Sequence, residues 1–318
     1  MITLGISGVA LFAILTGIAP TYLAIVIFLV LLGVMGGGYH PAASPLVAAS
    51  VDQKNQGRAL GLHQIGGSAS FFLAPLIAVA IARALTWRGS VITMAIPAFI
   101  IGIVLFVLLG KRSYVQKVPL ATASHQAEPA ATSVNMRRLI PFITLGIMLQ
   151  VMVMSVASYI PLFAVDNLQA SEETGALLLS FFHFSGLWAG PVGGYLSDRL
   201  GKVPVMLTVS IIAGPALYLL SLASLDWSIW VALLISGVCM YIALPVTEAY
   251  IITNTSEHYR STVLGVYYFA SRGGSGLIIP LVGYLADRHS FDIGFTIVGG
   301  ALLGVALICS VLLWGSRD

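Results

Sequence analysis

The nine residues GYLSDRLGK, from Gly194 to Lys202, connect two long apolar runs of the sequence. They carry one carboxylate, Asp198, and two cations, Arg199 and Lys202, in a chain that is 58% hydrophobic and only 8% charged. A soluble domain carries roughly 25% charged residues. The deficit of charge along the whole chain therefore indicates that lipid is its solvent, and that this short polar stretch is a loop at the membrane surface.

Apolar runs of membrane-spanning length recur along the whole sequence. A hydrocarbon core of about 30 Å needs about 20 apolar helical residues to cross. Ten such runs occur, at 2–18, 22–48, 59–82, 90–110, 138–163, 172–197, 203–223, 228–253, 262–286 and 291–314. Because lipid offers the backbone no hydrogen-bond partners, every run is predicted to be helical. The sequence thus predicts an all-α polytopic membrane protein with ten transmembrane helices.

Basic residues are divided unequally between alternate loops. Eleven Lys and Arg residues lie in one set of loops and three, Arg83, Arg88 and Arg288, in the other. The positive-inside rule makes the first set cytoplasmic. We therefore expect a protein of the cell membrane whose carboxyl terminus and 194–202 turn face the cytoplasm. The net charge of +3 follows from this topology, and no nucleic-acid partner is predicted.

One long polar segment, residues 111–137, interrupts the pattern of spans. It combines Pro, Ala, Ser and charged residues without an apolar stripe, which is typical of a flexible linker. With its basic residues it is predicted to be cytoplasmic. It divides the chain into an amino-terminal bundle of four helices, 1–110, and a carboxyl-terminal bundle of six, 138–318.

The two predicted bundles are related by an internal repeat. Matching residues keep a nearly constant offset of 202 to 205 positions, as in Gly33 and Gly237, Arg58 and Arg260, Pro75 and Pro280. Such an offset indicates an ancestral duplication of the parallel kind found in two-halved transporters. The first two helices of the second half have no counterpart before Met1. We therefore expect an amino-terminal truncation of about 68 residues, either real or from a misassigned start codon.

The 194–202 turn resembles the GxLxDRxGRK loop motif of the major facilitator superfamily. In physical terms Gly201 permits a tight turn, and Asp198 can cap a helix N-terminus or pair with a basic residue. Spans two and three are more closely similar to the fosmidomycin resistance proteins, a drug-efflux branch of that superfamily. The similarity rests on Tyr39-His40-Pro41-Ala-Ala-Ser44, Gly57-Arg58, Gln64-Ile-Gly66-Gly67 and Ala74-Pro75. The chain departs from this branch at Ala42, where an acidic residue is expected, and at Ala74, where glycine is expected.

The resemblance implies the major facilitator fold, with two helical bundles of four and six helices here and six and six in a complete molecule. It also implies a central cavity and alternating access driven by a proton gradient. The spans, the loop charges and the repeat come from the sequence itself, whereas the coupling to protons comes from the resemblance.

Ionisable side chains inside spans are the first candidates for the transport pathway, since each costs at least about 2.5 kcal/mol at the bilayer centre. Glu248 can accept a proton or hold a substrate cation, or it can be a structural carboxylate. Arg272 can hold an anionic substrate, neutralise Glu248, or extend to the interface. His40, next to Pro41, can take part in a proton relay or satisfy backbone groups freed by the proline.

Further candidates are polar or small residues whose role in a span has two interpretations. The substrate or proton pathway is predicted to include Tyr39, His63, Gln64, Gln150 and His183, although each can equally be a packing or interface residue. Small residues and prolines allow close helix approach and kinks. Spans three and nine are on this ground predicted to face each other as gating helices, through Gly66, Gly67, Pro75, Gly273, Gly274 and Pro280.

The favoured function is proton-coupled export of small organic molecules, drugs included, by an antiporter that works as a monomer without cofactor or metal. An importer of an organic anion or a sugar stays open, because composition does not encode direction. A non-transporting remnant or a sensor also stays open. No HExxH, GxSxG or HxxxD pattern occurs, so an intramembrane enzyme is not favoured.

Overall fold

The structure, a computed structural model, describes residues 2–37, 47–48, 51–112 and 136–315. Within these ranges the chain is helical and contains no strand, which confirms the all-α prediction. A short 3₁₀ turn, Gln53–Asn55, precedes the third helix. The helices are α1 (Ile2–Ile18), α2 (Tyr22–Gly37), α3 (Gln56–Arg112), α4 (Met136–Ala157), α5 (Ile160–Asp166), α6 (Glu172–Phe184), α7 (Gly186–Leu200), α8 (Lys202–Ser221), α9 (Trp227–Asn254), α10 (Glu257–Arg288) and α11 (Phe291–Leu312).

Several of these helices have the length and hydropathy of membrane spans. Among the described residues six segments qualify, namely Gln56–Val107, Met136–Asp166, Glu172–Leu200, Lys202–Ser221, Trp227–Asn254 and Phe291–Leu312. Two shorter apolar helices cover Gly5–Ile18 and Tyr22–Gly37. The segment Gln56–Val107 is 52 residues long and spans the predicted third and fourth runs. The total of ten spans stays a prediction.

Contacts between Cα atoms divide the chain into two compact units. Unit 1 comprises Met1–Ala42 and Ile77–Val134, and unit 2 comprises Ala43–Leu76 and Asn135–Asp318. Residues 56–76, the first part of α3, thus belong with the carboxyl-terminal helices. The prediction instead divided the chain into consecutive sequence segments at the 111–137 linker. That division stays a prediction, since residues 113–135 lie outside the described ranges.

Unit 1 contains α1, α2 and the second part of α3. Thr86 breaks the path of α3 with φ 66° and ψ 172°, a conformation that is strained for a β-branched residue. Close by, the Arg88 guanidinium donates hydrogen bonds to the carbonyl oxygens of Gly17, at 3.2 Å, and Ala19, at 2.6 Å. Arg88 thereby satisfies acceptors that the end of α1 leaves without helical partners.

Unit 2 is built around α9. This helix packs against α4, α6, α7, α8 and α10, and every residue from Cys239 to Ile252 is buried. A helix that is apolar on all sides is the one that other helices enclose. The helices around it therefore present only one side each to its buried segment, and that segment contains Tyr241 and Glu248.

The turns of unit 2 follow from local chemistry. Ser171, Asp226 and Ser290 cap α6, α9 and α11 by accepting hydrogen bonds from backbone N–H groups of the first turn. Gly201, between α7 and α8, has φ 98° and ψ 150°. A side chain would be strained at this positive φ, and glycine is not, so the tight turn predicted from Gly201 requires that residue.

Candidate functional site

The first part of α3 and α7 approach each other along a line of small residues, here called the glycine seam: Gly57, Gly61 and Ser68 on α3, with Gly186, Gly190 and Gly194 on α7. A Cβ atom added at Gly61 would lie 2.5 Å from the Gly190 carbonyl oxygen. One added at Gly194 would lie 2.5 Å from the Gly57 carbonyl carbon. At these two contacts only glycine allows the backbones to approach this closely.

The seam ends at the 194–202 turn, where Asp198 closes it. Its Oδ2 atom accepts a hydrogen bond of 3.2 Å from the backbone N–H of Arg58. Arg58 lies in the first turn of α3, where amide groups lack helical partners and carry partial positive charge. Asp198 thus occupies the geometry of a helix cap supplied by another helix. In the same turn the Arg199 guanidinium lies 4.7 Å above the Tyr195 ring.

Farther along the seam, unit 2 contains a small cavity with polar lining residues. It is lined by Gln64, Phe71, Gln150, Met154, His183, Met240, Tyr241, Leu244 and Arg272. Its volume of about 20 Å³ is room for about one water molecule. Four of the residues predicted separately for the transport pathway, Gln64, Gln150, His183 and Arg272, are therefore neighbours around one space.

His183 is held in a fixed orientation at this cavity. Its Nδ1 atom is 2.7 Å from the Tyr241 hydroxyl oxygen, and the ring of Phe71 stacks on it at 5.1 Å between centroids. His183 and Tyr241 are 4% exposed each. The cavity thus combines hydrogen-bonding groups from four helices, two amides, a phenol and an imidazole, with one cation and an aromatic face.

Glu248 lies beyond the cavity on the same face of α9. Tyr241, Leu244 and Glu248 are spaced i, i+3 and i+7, so they share one side of the helix, about 10 Å apart from end to end. Glu248 is 3% exposed, and its Oε1 atom accepts a hydrogen bond from the Tyr268 hydroxyl. Tyr268 and Arg272 are four residues apart on α10, so they lie on one face of that helix. This face of α10 thus presents one polar group to Glu248 and another to the cavity.

A buried apolar cluster lies beside this carboxylate, since it includes Tyr268, whose hydroxyl donates to Glu248. We call it the Tyr267 cluster; it comprises Ala48, Leu60, Leu244, Ala249, Ile251, Ile252, Leu264, Tyr267 and Tyr268. Leu60 belongs to the first part of α3, and Tyr267 is 1% exposed. The cluster therefore joins α3, α9 and α10 at the level of Glu248, on the side of the cavity toward the starts of α3 and α10.

Other predicted site residues are placed differently. His63 is half-buried and does not line the cavity, while Tyr39 and His40 lie outside the described residues. Among the described residues a Cβ atom at Gly66 or Gly273 would meet nothing within 4 Å, and one at Gly67 only the Gln64 amide at 3.9 Å. The close approaches in this structure are at the glycine seam and at Gly274, whose added Cβ would lie 2.8 Å from Val151, and the role of spans three and nine as gating helices stays a prediction.

Pro75 and Pro280 occupy interior positions of α3 and α10, and their predicted part in gating stays a prediction. Several residues at the site were missed by sequence reasoning, above all the seam residues Gly57, Gly61, Gly186 and Gly190 and the cavity residue Phe71. The spacing of four between Gly57 and Gly61, and again between Gly186, Gly190 and Gly194, is the signal that could have identified the seam.

Comparison with known proteins agrees with this architecture. The sequence model of the Major Facilitator Superfamily matches residues 1–182 and 142–318. The multidrug resistance protein MdtG of Salmonella arizonae is 24% identical over 312 residues, which are 97% of this chain and 76% of that protein. MdtG of Citrobacter koseri is equally similar, with 97% of this chain and 75% of that protein covered.

Solved structures share the fold. The fucose:proton symporter FucP of E. coli superposes with a TM-score of 0.66 at 14% identity, covering 98% of this chain and 83% of that one. A POT family transporter in complex with 5-aminolevulinic acid gives a TM-score of 0.73 at 13% identity, with 97% and 80% covered. With its helical fold, its DR turn and a family match along its whole length, the chain belongs to the Major Facilitator Superfamily of secondary transporters.

Proposed function

We propose that the protein exports small organic molecules, drugs among them, in exchange for protons, with Glu248 as the proton-binding group. The observation that carries the proposal is the position of this carboxylate. It is buried, it accepts a hydrogen bond from Tyr268, and it lies on the face of α9 that also lines the cavity. The similarity to proteins named for multidrug resistance supports export of drugs as the activity.

Competition between proton and substrate would follow from the electrostatics of this region. An ionised carboxylate is costly to bury without partners, whereas a protonated one is much less so. Protonation of Glu248 therefore changes the free energy of the state in which the helices around Tyr267 and Tyr268 are closely packed. A substrate that enters the neighbouring cavity separates the same helices, so the two ligands act on one packing arrangement.

Alternating access would use the glycine seam as the closing surface. In this structure the seam is closed from the Asp198 cap, at the 194–202 turn, to Gly186, which lies beside Tyr241 at the cavity. The cavity, with room for about one water molecule, is too small for an organic substrate. Transport therefore requires α3, α6 or α10 to move away from α9, and the seam to separate in the opposite state.

Arg272 supports a second candidate function, import of an organic anion with protons. Its cationic group lines the cavity together with the Gln64 and Gln150 amides, and a carboxylate or similar anion pairs well with such a set. In export by exchange, protons and substrate cross the membrane in opposite directions. In import with protons they cross in the same direction, so one assay distinguishes the two functions.

The assay uses inside-out membrane vesicles from cells that express the protein, with respiration acidifying the lumen. Neutral, cationic and anionic aromatic compounds and sugars are added outside while a fluorescent dye reports the pH gradient. Exchange releases lumenal protons, so at least one class should dissipate the gradient compared with vesicles lacking the protein. If no class does so, and a compound loaded into the lumen leaves together with protons, export is wrong and import is supported.

We further propose a cell-membrane protein with ten transmembrane helices, a cytoplasmic linker and a cytoplasmic carboxyl terminus, active as a monomer and catalysing no chemical reaction. Loop charge supports the topology. With Cys239 and Cys309 replaced by serine, Ser124→Cys should resist an impermeant maleimide in intact cells and react after permeabilisation. Ser224→Cys, exposed in the α8–α9 loop, should react in intact cells, and the reverse pattern would invert the topology.

The monomer is tested separately. The mass of the detergent-solubilised protein, measured by light scattering with the detergent contribution subtracted, should correspond to one chain of 33.5 kDa. A mass of two chains at transport-competent concentrations would overturn it.

A further inference from the structure

A long apolar groove lies on unit 2, away from the polar cavity. It is lined by residues of α7, α8 and α9: Trp188, Leu196, Leu200, Pro204, Val205, Thr208, Val209, Ile212, Leu234, Ile235, Val238, Cys239 and Ile242. Its floor is buried, with Cys239 only 3% exposed, while the rim residues Trp188, Leu200 and Ile212 are 40%, 53% and 45% exposed. The groove is therefore open on one side and almost wholly apolar.

The dimensions of the groove match one hydrocarbon chain. Its volume is about 520 Å³, against about 20 Å³ for the polar cavity. Along α7 it extends from Leu200 to Trp188, about 18 Å of helix. One leaflet of the hydrocarbon core is about 15 Å deep. A single acyl chain, running from the membrane surface toward the bilayer centre, therefore matches the groove in length.

Positive charge is concentrated at the surface end of this groove. Lys202 precedes the groove residues Val205 and Val209 by three and seven positions, which places it on the same face of α8. Arg199 directly precedes the rim residue Leu200. Together with Arg58, whose N–H binds Asp198, the turn region carries three cations and one carboxylate. An anionic headgroup above the Leu200 end would meet a net positive surface.

We propose that this groove binds one acyl chain of an anionic phospholipid, whose phosphate lies at Lys202. The apolar walls hold the chain by van der Waals packing, and the cations of the turn region favour a negative headgroup, as basic pockets between membrane helices do. The site is distinct from the transport cavity, so it does not depend on what the protein carries.

Native mass spectrometry of the detergent-purified protein, titrated with phosphatidylglycerol or phosphatidylcholine, tests the site. We expect one phosphatidylglycerol per chain to be retained, with an affinity at least about fivefold above that for phosphatidylcholine, the factor expected for one basic residue near the phosphate. Lys202→Gln should remove about fivefold of the phosphatidylglycerol affinity and leave phosphatidylcholine unchanged. Lys54→Gln, which removes an exposed cation of the α3 start, should change neither.

A second pair of variants tests the groove itself. Val238→Trp fills it from the α9 side and should weaken both lipids, whereas Ile211→Trp, on α8 but not lining the groove, should weaken neither. A thermal melt confirms that the variants are folded. Equal affinity for the two lipids, or undiminished binding by Val238→Trp, would overturn the proposal. A dimer that Val238→Trp dissociates would assign the groove to a second copy of the chain instead.

Discussion

Glu248→Gln is expected to abolish proton-driven transport while the protein still binds its substrate. Glutamine keeps the size of the side chain and can still accept the hydrogen bond from Tyr268, but it cannot gain or lose a proton. Coupling between two sites typically amounts to about 5- to 150-fold in affinity. In the wild type, substrate affinity should change by such a factor between high and low pH, and in Glu248→Gln the affinity should be independent of pH.

The measurements are gradient dissipation in inside-out vesicles and substrate binding to purified protein at a series of pH values. Glu257→Gln is the matched control, because Glu257 is an exposed carboxylate at the start of the same α10 that carries Tyr268; it should behave as the wild type. Tyr268→Phe removes only the hydroxyl that donates to Glu248. It should shift the pH at which substrate affinity changes, without abolishing that change. Normal uphill transport with normal pH dependence in Glu248→Gln would make this carboxylate structural and move coupling to a histidine or elsewhere.

Gly194→Ala and Gly61→Ala are expected to reduce transport by at least tenfold, although each adds a single methyl group. In both cases the new Cβ atom would lie 2.5 Å from backbone atoms of the facing helix, and backbone cannot rotate away as a side chain can. Overpacking of this kind costs about 1–3 kcal/mol. This cost destabilises the state in which the seam is closed. The expected measurement is a lower transport rate at normal membrane insertion.

Gly300→Ala is the control for this change, because a Cβ atom there would meet no atom of the described part of the chain within 4 Å. It should leave transport unchanged.

Asp198→Asn tests the same seam by removing a charge. Asparagine can still accept the hydrogen bond from the Arg58 N–H but carries no negative charge, so transport should fall less than in Gly194→Ala. Wild-type transport by both alanine variants would mean that the seam does not need to close in the transport cycle.

The sequence was sufficient for the class of fold but not for the partners of individual residues. A chain that is dissolved in lipid needs long apolar runs and few charges, so its composition and its apolar runs predict membrane helices directly. Asp198 was predicted as a cap or an ion-pair partner, and its position beside the Arg58 N–H agrees with the first alternative; no local pattern could tell which helix it would meet. Gln64, Gln150, His183 and Arg272 were selected one by one as polar residues in apolar runs, and only tertiary packing could bring them to one cavity.

The glycines show where sequence carried further information. Gly66, Gly67 and Gly273 were predicted to act in gating because small residues let helices approach closely, and that role stays a prediction; among the described residues a Cβ atom added at Gly66 or Gly273 would meet nothing within 4 Å. Gly57, Gly61, Gly190 and Gly194 are spread at intervals of four and are the ones in contact. Contact between helices follows the helical repeat, because residues four apart lie on one face, so spacing carried more information than local abundance.

The complete burial of α9 between Cys239 and Ile252 has a consequence for how such a transporter can acquire new substrates. A residue enclosed on all sides is constrained by several neighbours at once, so most replacements there are rejected for reasons of packing. Gln150 and His183 are buried as well, whereas Gln64 and Arg272 are only partly enclosed and can vary with fewer penalties. Laboratory selection for an altered drug range should therefore enrich changes on α3 and α10, and an excess of changes within 239–252 would contradict this view of the helix.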